Sequence, residues 1–218
     1  MREPFAFFPW AAGAAQAGGS ALSFLSLRFD LLRGEMKKII IDIDNTLWDL
    51  SPVLWEQLKT FNPSMPPPSR WNHWDFWEGH VSLRDLFRAL KIVHDHQDIY
   101  PPYPESKSFL DSLKERGFYI LIASHREKNT YAPTVRWLEK HKLSFDEVHL
   151  VSDKSVLFDH SLAIVDDSPV TLEKAARSGI LHAGLRAPWN EGTGYPLFSS
   201  LSEILNYLDA HIPLSGNP

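Results

Sequence analysis

A hydrophobic stretch that runs directly into two carboxylates constrains the fold of this chain more than any other feature. The sequence KKIIIDIDNTL begins at Lys37, continues as an apolar run to Ile41, and then carries Asp42 and Asp44. A short apolar run with a polar boundary is typical of a strand that is buried on both faces of a sheet. The stretch therefore predicts an interior parallel strand that leads into two acidic side chains.

Further runs of the same kind alternate with helical patterns along the chain. The strand-like runs span 117–124, 147–152 and 161–167. The helical patterns span 81–96, 106–116, 132–142, 168–179 and 200–212. Strands that alternate with helices of this length form parallel βαβ units with helices on both faces of the sheet. We therefore predict an α/β fold, a three-layer Rossmann-like parallel sheet.

The spacing between the first two strands predicts an inserted unit. Residues 51–105 are too many for a single crossover connection, and they contain one strong helical pattern. We expect them to form a small helical cap inserted after the first strand. The core domain would then comprise residues 36–50 and 106–212.

The two ends of the chain differ from this core. Residues 1–35 mix aromatic side chains with Ala, Gly and Ser and show no steady period. A secretory signal is disfavoured because Glu3, Pro4 and Pro9 interrupt the basic start and apolar centre that such segments have. We expect residues 1–35 to be a poorly ordered extension and residues 213–218 to be a C-terminal tail.

Composition excludes several classes of function. There are 22 basic and 27 acidic side chains, giving a formal charge of −5 without a basic stripe, so we expect no nucleic-acid polymer as a partner. Cysteine is absent from the sequence, which excludes disulfides and thiolate metal sites and favours a cytoplasmic location. After residue 36 there is no run of 18 uncharged apolar residues, so we expect no membrane span. The HDH sequence at 94–96 lacks the spacing of a zinc site.

Polar side chains follow the predicted strands, at the edge of the sheet where ligands bind in parallel α/β proteins. They are Asp42 and Asp44 after the first strand, Ser124 at the end of the second, Lys154 after the third, and Asp166 and Asp167 at the end of the fourth. Because they come from four separate parts of the chain and meet at one edge, they predict a single site.

The chemistry of these residue types suits phosphoryl transfer. A carboxylate such as Asp42 can attack phosphorus as a nucleophile, and Asp44 can serve as the general acid and base. Two unit charges 4 Å apart repel by about 4 kcal/mol at an effective dielectric constant near 20, so these acids require a cation. Lys154 supplies one fixed positive charge, and the Ser124 hydroxyl can bind a phosphoryl oxygen.

Magnesium is the cation that such a set of oxygen ligands favours. We expect Mg²⁺ as the cofactor, with Asp42 and Asp166 as carboxylate ligands. Asp167 would lie in the outer shell, and Asp44 would contribute its backbone carbonyl. Asn45 joins Ser124 and Lys154 among the predicted phosphate contacts.

These motifs resemble those of a known superfamily. DIDNTLWD, the Ser of ILIAS, the Lys of SDKS and IVDDSP have the order and spacing of the four motifs of the haloacid dehalogenase-like superfamily, over roughly residues 37–185. The resemblance implies a Rossmann-like core with a cap, Mg²⁺ dependence and an aspartyl-phosphate intermediate. Dehalogenase members lack the second acid, so Asp44 indicates a phosphatase.

Within the superfamily, the insertion and the sequence VSDKSVLFDHSLAIVDDSP resemble the 5'(3')-deoxyribonucleotidase group, although Asn45 and Thr46 stand where that group has Gly-Val. The predicted function is therefore a phosphomonoesterase for a small phosphate ester, with a (deoxy)nucleoside 5'-monophosphate as one candidate. A sugar phosphate, a phosphorylated side chain and a non-catalytic binding role for the same fold are the alternatives. The expected partner is a small phosphorylated substrate, and a homodimer is left open.

An aromatic cluster in the insertion allows two interpretations. Trp71, Trp74, Phe76 and Trp77 can form the core of the insertion, or they can offer ring faces that stack on a base. Trp74, Trp77 and Arg126 are the candidate substrate contacts. We expect no Ser124–His125 catalytic pair, because neighbouring side chains on an extended strand point to opposite sides.

Overall fold

The computed structural model describes residues 36–212. The predicted extension, residues 1–35, and the predicted tail, residues 213–218, lie outside the described residues. Within the described range, six strands and six α-helices follow one another with four short 3₁₀ helices between them.

The strands form one parallel sheet. In chain order they are β1 (Lys37–Ile41), β2 (Phe118–Ser124), β3 (Glu147–Leu150), β4 (Ser161–Val165), β5 (Leu181–Leu185) and β6 (Leu197–Phe198). Their order across the sheet is β3-β2-β1-β4-β5-β6, and every neighbouring pair is parallel. The chain therefore reverses its direction of travel across the sheet between β1 and β4, which is the position where doubly wound sheets bind ligands.

The middle of β1 explains why helices cover both faces of the sheet. Ile39, Ile40 and Ile41 are each completely buried. Ile39 and Ile41 pack in the large core on one face, whereas Ile40 packs with Ile164 and Leu121 in a smaller core on the other face. Alternating side chains of a strand point to opposite faces, so three consecutive apolar residues need a cover on both faces.

The helices supply these covers. They are α1 (Leu50–Lys59), α2 (Leu83–Asp95), α3 (Ser106–Glu115), α4 (Tyr131–Lys140), α5 (Pro169–Arg177) and α6 (Leu201–His211). In α2, for example, the Ser82 hydroxyl accepts a hydrogen bond from the Asp85 backbone N–H and caps the first turn. Leu86, Ala89 and Val93 follow at spacings of three and four residues and are buried on one face. The prediction of a three-layer α/β fold is confirmed.

The segment between β1 and β2 is helical, as predicted for the insertion. It contains α1, α2 and two 3₁₀ helices, Pro68–Arg70 and Gln97–Ile99, before α3 begins. The domain boundaries proposed from the sequence, 51–105 for the insertion, remain a prediction. Among the described residues, no helix combines the length and hydrophobicity needed to cross a bilayer.

Aromatic contacts hold the insertion against the core. The Trp71 ring lies 6.4 Å from that of Trp189, which follows β5. In addition, Trp48 stacks on Tyr100 at 5.5 Å between ring centroids, and the Trp137 indole N–H donates to the Tyr100 carbonyl. Trp48, Trp71 and Trp137 are at most 2% exposed. Large buried rings of this kind contribute strongly to packing, so these contacts dock the insertion on the core.

Candidate active site

The carboxyl ends of the central strands bring three acidic side chains together. Asp42 follows β1, and Asp166 and Asp167 follow β4. Each of the three offers a carboxylate oxygen within 4.8 Å of those of the other two. All three are at most 4% exposed. The grouping expected from the sequence is thus present at the point where the strand order reverses.

Gly184 in β5 lets this grouping form. A Cβ atom at Gly184 would lie 2.4 Å from the Asp166 backbone carbonyl oxygen, closer than real Cβ contacts. Ala183, the preceding residue, accepts a hydrogen bond from the Asp166 backbone N–H at 3.0 Å. The glycine therefore allows β5 to pass directly beside the acidic end of β4.

Lys154 lies between two of the acids. It begins the 3₁₀ helix Lys154–Leu157 after β3, and its ammonium group donates to Oδ1 of Asp42 and, at 2.6 Å, to Oδ2 of Asp166. The side chain is 7% exposed. Burial alone would lower the pKa of Lys154, but the charges of Asp166 and Asp42 outweigh that effect and raise it. Lys154 is therefore a fixed positive charge at neutral pH.

One ammonium group does not balance three buried carboxyls. Burial raises the pKa of Asp42 to about 7, with Asp166 adding to the rise and Lys154 opposing it. Burial, together with the charges of Asp42 and Asp166, also raises the pKa of Asp167 well above its usual value. These groups resist ionisation without a further cation nearby.

The donor chemistry of the three acids fits a hard divalent cation. Carboxylate oxygens are the ligands that Mg²⁺ and Ca²⁺ prefer, and buried carboxyls with raised pKa values gain most from a bound positive charge. Asp42, Asp166 and Asp167 are the residues placed to hold such an ion.

Asp167 and Asn45 are fixed by hydrogen bonds within the protein. The Asn45 amide donates to Oδ2 of Asp167 at 3.3 Å, and its carbonyl oxygen accepts from the Ser51 hydroxyl and backbone N–H. The Trp189 indole N–H also donates to Oδ2 of Asp167, at 3.1 Å. Asn45 has φ of 55°, a left-handed conformation that Asn tolerates better than most residues. The Asn45 side chain thus supports the acidic group; its predicted role as a phosphate contact stays a prediction.

A cavity of ≈ 580 Å³ adjoins this support. Asn45 and Trp189 form part of its wall, together with Tyr103 and with Pro68 from the insertion. Burial raises the pKa of the Tyr103 hydroxyl, and the negative charges of Asp49 and Asp167 act in the same direction. The cavity therefore lies beside the acidic group, on the side of Asp167.

Asp44 points into a different environment from Asp42. Its carboxylate accepts hydrogen bonds from the Trp48 indole at 2.9 Å, the Ser124 hydroxyl at 3.2 Å and two nitrogens of Arg126. Nε2 of His94, in α2 of the insertion, lies 3.1 Å from Oδ2, without good hydrogen-bond geometry. Burial would raise the pKa of Asp44, but Arg126 and then His94 outweigh it and hold the pKa well below its usual value.

The other predicted substrate contacts have contrasting surroundings. Trp74 is 37% exposed and Trp77 is half-buried, whereas Trp71 is buried and stacks on Phe76 at 3.8 Å. The aromatic cluster thus includes part of the core of the insertion, with Trp74 at its surface. Arg126 is 6% exposed and all of its contacts are within the protein.

The fold has many relatives among solved structures. A predicted phosphoglycolate phosphatase from Haemophilus somnus has a TM-score of 0.56 and 17% identity, over 79% of this chain and 97% of its own. A haloacid dehalogenase-like family protein from Streptococcus pneumoniae has a TM-score of 0.55 and 14% identity, over 79% and 98%. The protein has the haloacid dehalogenase-like fold. A structure described as a HAD family hydrolase, from Deinococcus radiodurans and with bound phosphate and sodium, has a TM-score of 0.55 and 13% identity, over 84% of this chain and 99% of its own.

Sequence comparison adds nothing to this structural likeness. The chain matches no protein-family model and has no significant match among curated proteins. Identities below 20% are evidence for the haloacid dehalogenase-like fold alone, and one fold can host many functions. The function therefore depends on the chemistry of the site, and the narrower resemblance to 5'(3')-deoxyribonucleotidases stays a proposal.

Proposed function

We propose that this protein is a Mg²⁺-dependent phosphomonoesterase that uses Asp42 as its nucleophile. One observation carries the proposal: Asp42, Asp166 and Asp167 converge at the carboxyl end of the sheet, with the ammonium group of Lys154 bonded to two of them. A nucleophilic carboxylate next to a cation site and a fixed positive charge is the arrangement that phosphoryl transfer needs. The phosphatase and hydrolase descriptions of proteins with the same fold support the same activity.

The residues of the chain divide the reaction into two displacements. In the first, a carboxylate oxygen of Asp42 bonds to phosphorus, and the bond from phosphorus to the ester oxygen breaks with its electron pair on that oxygen. In the second, water attacks phosphorus and the bond to Asp42 breaks, which restores the carboxylate. Lys154 stays charged throughout and offsets the negative charge of the transferring group. Mg²⁺, held by Asp42, Asp166 and Asp167, would supply further positive charge for the phosphoryl oxygens.

Asp44 is the proposed acid and base of these steps. It follows the nucleophile by two residues, and its ionised form can take up the proton of the attacking water. Its contacts with Trp48, Ser124 and Arg126 fix the orientation of the carboxylate. The proton gained in this way stays on Asp44 until the first displacement of the next turnover, in which Asp44 gives it to the departing ester oxygen and becomes ionised again.

The identity of the ester is a narrower proposal. A nucleoside 5'-monophosphate is supported by the exposed ring of Trp74 on the insertion, because an aromatic face can stack on a base. A sugar phosphate or a phosphorylated side chain would need no such ring. Rates on a panel of nucleoside and sugar monophosphates separate these substrates.

Phosphate release from a generic aryl phosphate tests the proposed function. We expect turnover with Mg²⁺ that is lost in excess EDTA and recovered when Mg²⁺ is restored. Metal binding without turnover on the aryl phosphate or on any panel member would instead favour a non-catalytic binding protein with this fold.

Magnesium should stabilise the fold more at pH 8 than at pH 5. A carboxyl whose folded pKa is raised, such as Asp42 at about 7, stabilises the metal-free fold below its unfolded value near 4 and loses that stabilisation as pH rises to 7. A cation bound by the three acids offsets the stability that is lost when they ionise. At low pH, protons compete with the cation for the same carboxylate oxygens. At pH 8 and 100 times Kd, the gain is about 2.7 kcal/mol, or roughly 5–10 °C in the unfolding midpoint.

Thermal unfolding with Mg²⁺ or EDTA at the two pH values measures this gain. The Asp166→Asn variant should lose most of the gain at pH 8, because it removes one of the three acids. The Asp209→Asn variant should keep it, since Asp209 pairs with Arg116 and does not belong to the acidic group. Equal gains at both pH values would show that the cation does not bind at these acids.

A further inference from the structure

The side chain of Arg126 is hydrogen-bonded to other residues of the protein. Its Nε donates to Oδ2 of Asp44 at 3.0 Å, and one terminal nitrogen donates to Oδ1 at 2.5 Å. The other terminal nitrogen donates to the Gln97 carbonyl oxygen at 2.5 Å and to the Thr134 hydroxyl at 2.9 Å. The side chain is 0% exposed, so the 6% exposure of the whole residue does not come from the guanidinium group. Every nitrogen of the guanidinium group therefore has a partner within the protein, and four of its five N–H groups are used in these bonds.

The partners of Arg126 come from three different parts of the fold. Asp44 follows the central strand, Thr134 lies in α4, and Gln97 lies in the 3₁₀ helix Gln97–Ile99 of the insertion. His94, at the end of α2, approaches the same carboxylate from the insertion. The orientation of Asp44 is thus tied through Arg126 to the position of the insertion.

We propose that Arg126 is a positioning residue, which holds the carboxylate of Asp44 at the reacting centre and links it to the docked insertion through Gln97. This inference rests on the proposed function, because it assigns to Arg126 an effect on the step that Asp44 performs. It replaces the substrate contact expected for Arg126 from the sequence. A planar guanidinium group fits the two carboxylate oxygens in parallel, and a lysine ammonium cannot reproduce that geometry.

If Arg126 acts by positioning Asp44, substitutions of the two residues should have non-additive effects on kcat. Arg126→Met should lower kcat by roughly 10²-fold with little change in KM, since displacing a catalytic group by about 1 Å has an effect of that size. Asp44→Asn should lower kcat by about 10²- to 10⁴-fold. In the double variant, kcat should match that of Asp44→Asn within about threefold, because Arg126 has no positioned acid left to act on.

Two further variants separate positioning from general loss of structure. Arg126→Lys keeps the positive charge without the two parallel N–H groups. Its kcat should therefore lie between those of Arg126→Met and the wild type. Arg116→Met is the matched control, since Arg116 makes the same two-bond contact with Asp209 just before β2, at the opposite edge of the sheet. This control should lower the unfolding midpoint without lowering kcat. Added guanidinium should partly rescue kcat in Arg126→Ala and have no effect on kcat in Arg116→Ala.

The outcomes distinguish this inference from the proposed function. Wild-type protein with no turnover on the phosphate panel overturns the proposed function. Turnover in the wild type with multiplicative losses in the double variant, or a large rise in KM for Arg126→Met, overturns only the role of Arg126. An unfolding cycle on the same four proteins needs no activity, and independent effects of Asp44→Asn and Arg126→Met in that cycle would also overturn it.

Discussion

Replacing Asp42 with asparagine should lower kcat for phosphate release by at least about 10³-fold, the scale on which loss of a nucleophile within a catalytic unit acts. Asparagine has the size of aspartate, and its carbonyl oxygen can still accept the hydrogen bond that Lys154 donates to Asp42. The amide does not attack phosphorus, however, so the first displacement has no nucleophile. The substitution therefore removes the nucleophile while keeping the size of the side chain and its hydrogen bond with Lys154.

The same substitution should leave the protein at least as stable at pH 8 without metal. Burial raises the pKa of Asp42 to about 7, so the ionised carboxylate that forms above that pH destabilises the fold. A neutral amide avoids this cost and leaves Lys154 paired with Asp166. Steady-state kinetics and thermal unfolding on one preparation measure both effects.

Asp209→Asn provides the matched control for this experiment. It makes the same chemical change at a carboxylate that pairs with Arg116 instead of lying in the acidic group. We expect its kcat to equal that of the wild type. If Asp42→Asn kept more than a tenth of wild-type turnover, Asp42 would not be the nucleophile.

The core of the fold could be predicted because its strands are nearly continuous apolar runs. β1 to β4 all lie within the runs identified in the sequence, and α2 to α6 correspond to its helical patterns. α1, β5 and β6 were not predicted. β5 has the sequence LHAGL, with a histidine and a glycine among its five residues, and β6 has only two residues, so neither carries a distinctive pattern.

The acidic group could be predicted for a similar reason. Once the strands are parallel, the residues after β1 and β4 lie at the same edge of the sheet. Asp42 and Asp166 meet there because β1 and β4 are neighbours. The bulky partners of these acids were missed. Trp189, which donates to Asp167, follows the unpredicted β5. His94 reaches Asp44, and Gln97 accepts a hydrogen bond from Arg126, only because the insertion docks on the core, which no local pattern reveals.

One signal for Arg126 was present in the sequence. Ser124 ends β2, and Arg126 follows two residues later, so an extended chain directs both side chains to the same side. Both donate to the carboxylate of Asp44. The alternation of side chains that separates His125 from Ser124 therefore also predicts that Ser124 and Arg126 lie on the same side. It does not predict that Asp44 is the acceptor for both.

Replacing Lys154 with methionine should lower the free energy of unfolding by about 3–5 kcal/mol at pH 8 without metal, the range for removing one partner of a buried ion pair. Methionine fills a similar volume, so the effect reports the lost charge. Without the ammonium group, Asp42 and Asp166 lose the cation to which both are bonded and face each other and Asp167. Urea unfolding followed by fluorescence measures the difference.

The pH dependence of this loss follows from the direction of the pKa shifts. Lys154 lowers the pKa of both Asp42 and Asp167, so its removal raises these values further. Acids with raised folded pKa values stabilise the fold below their unfolded value near 4, and that stabilisation is lost as pH rises. The Lys154→Met variant should therefore lose more stability at pH 8 than at pH 5.

Lys174→Met serves as the control, because Lys174 pairs with Asp153 at 2.9 Å while both side chains are over 40% exposed. Such a surface pair contributes about 1 kcal/mol or less. Equal losses for the two lysine variants would mean that Lys154 does not balance the acids. Combining Lys154→Met with Asp42→Asn should restore part of the stability at pH 8, because the second change removes one of the carboxyls left without a partner. A further loss of stability in that double variant would show that altered packing, and not the missing positive charge, destabilises the Lys154→Met variant.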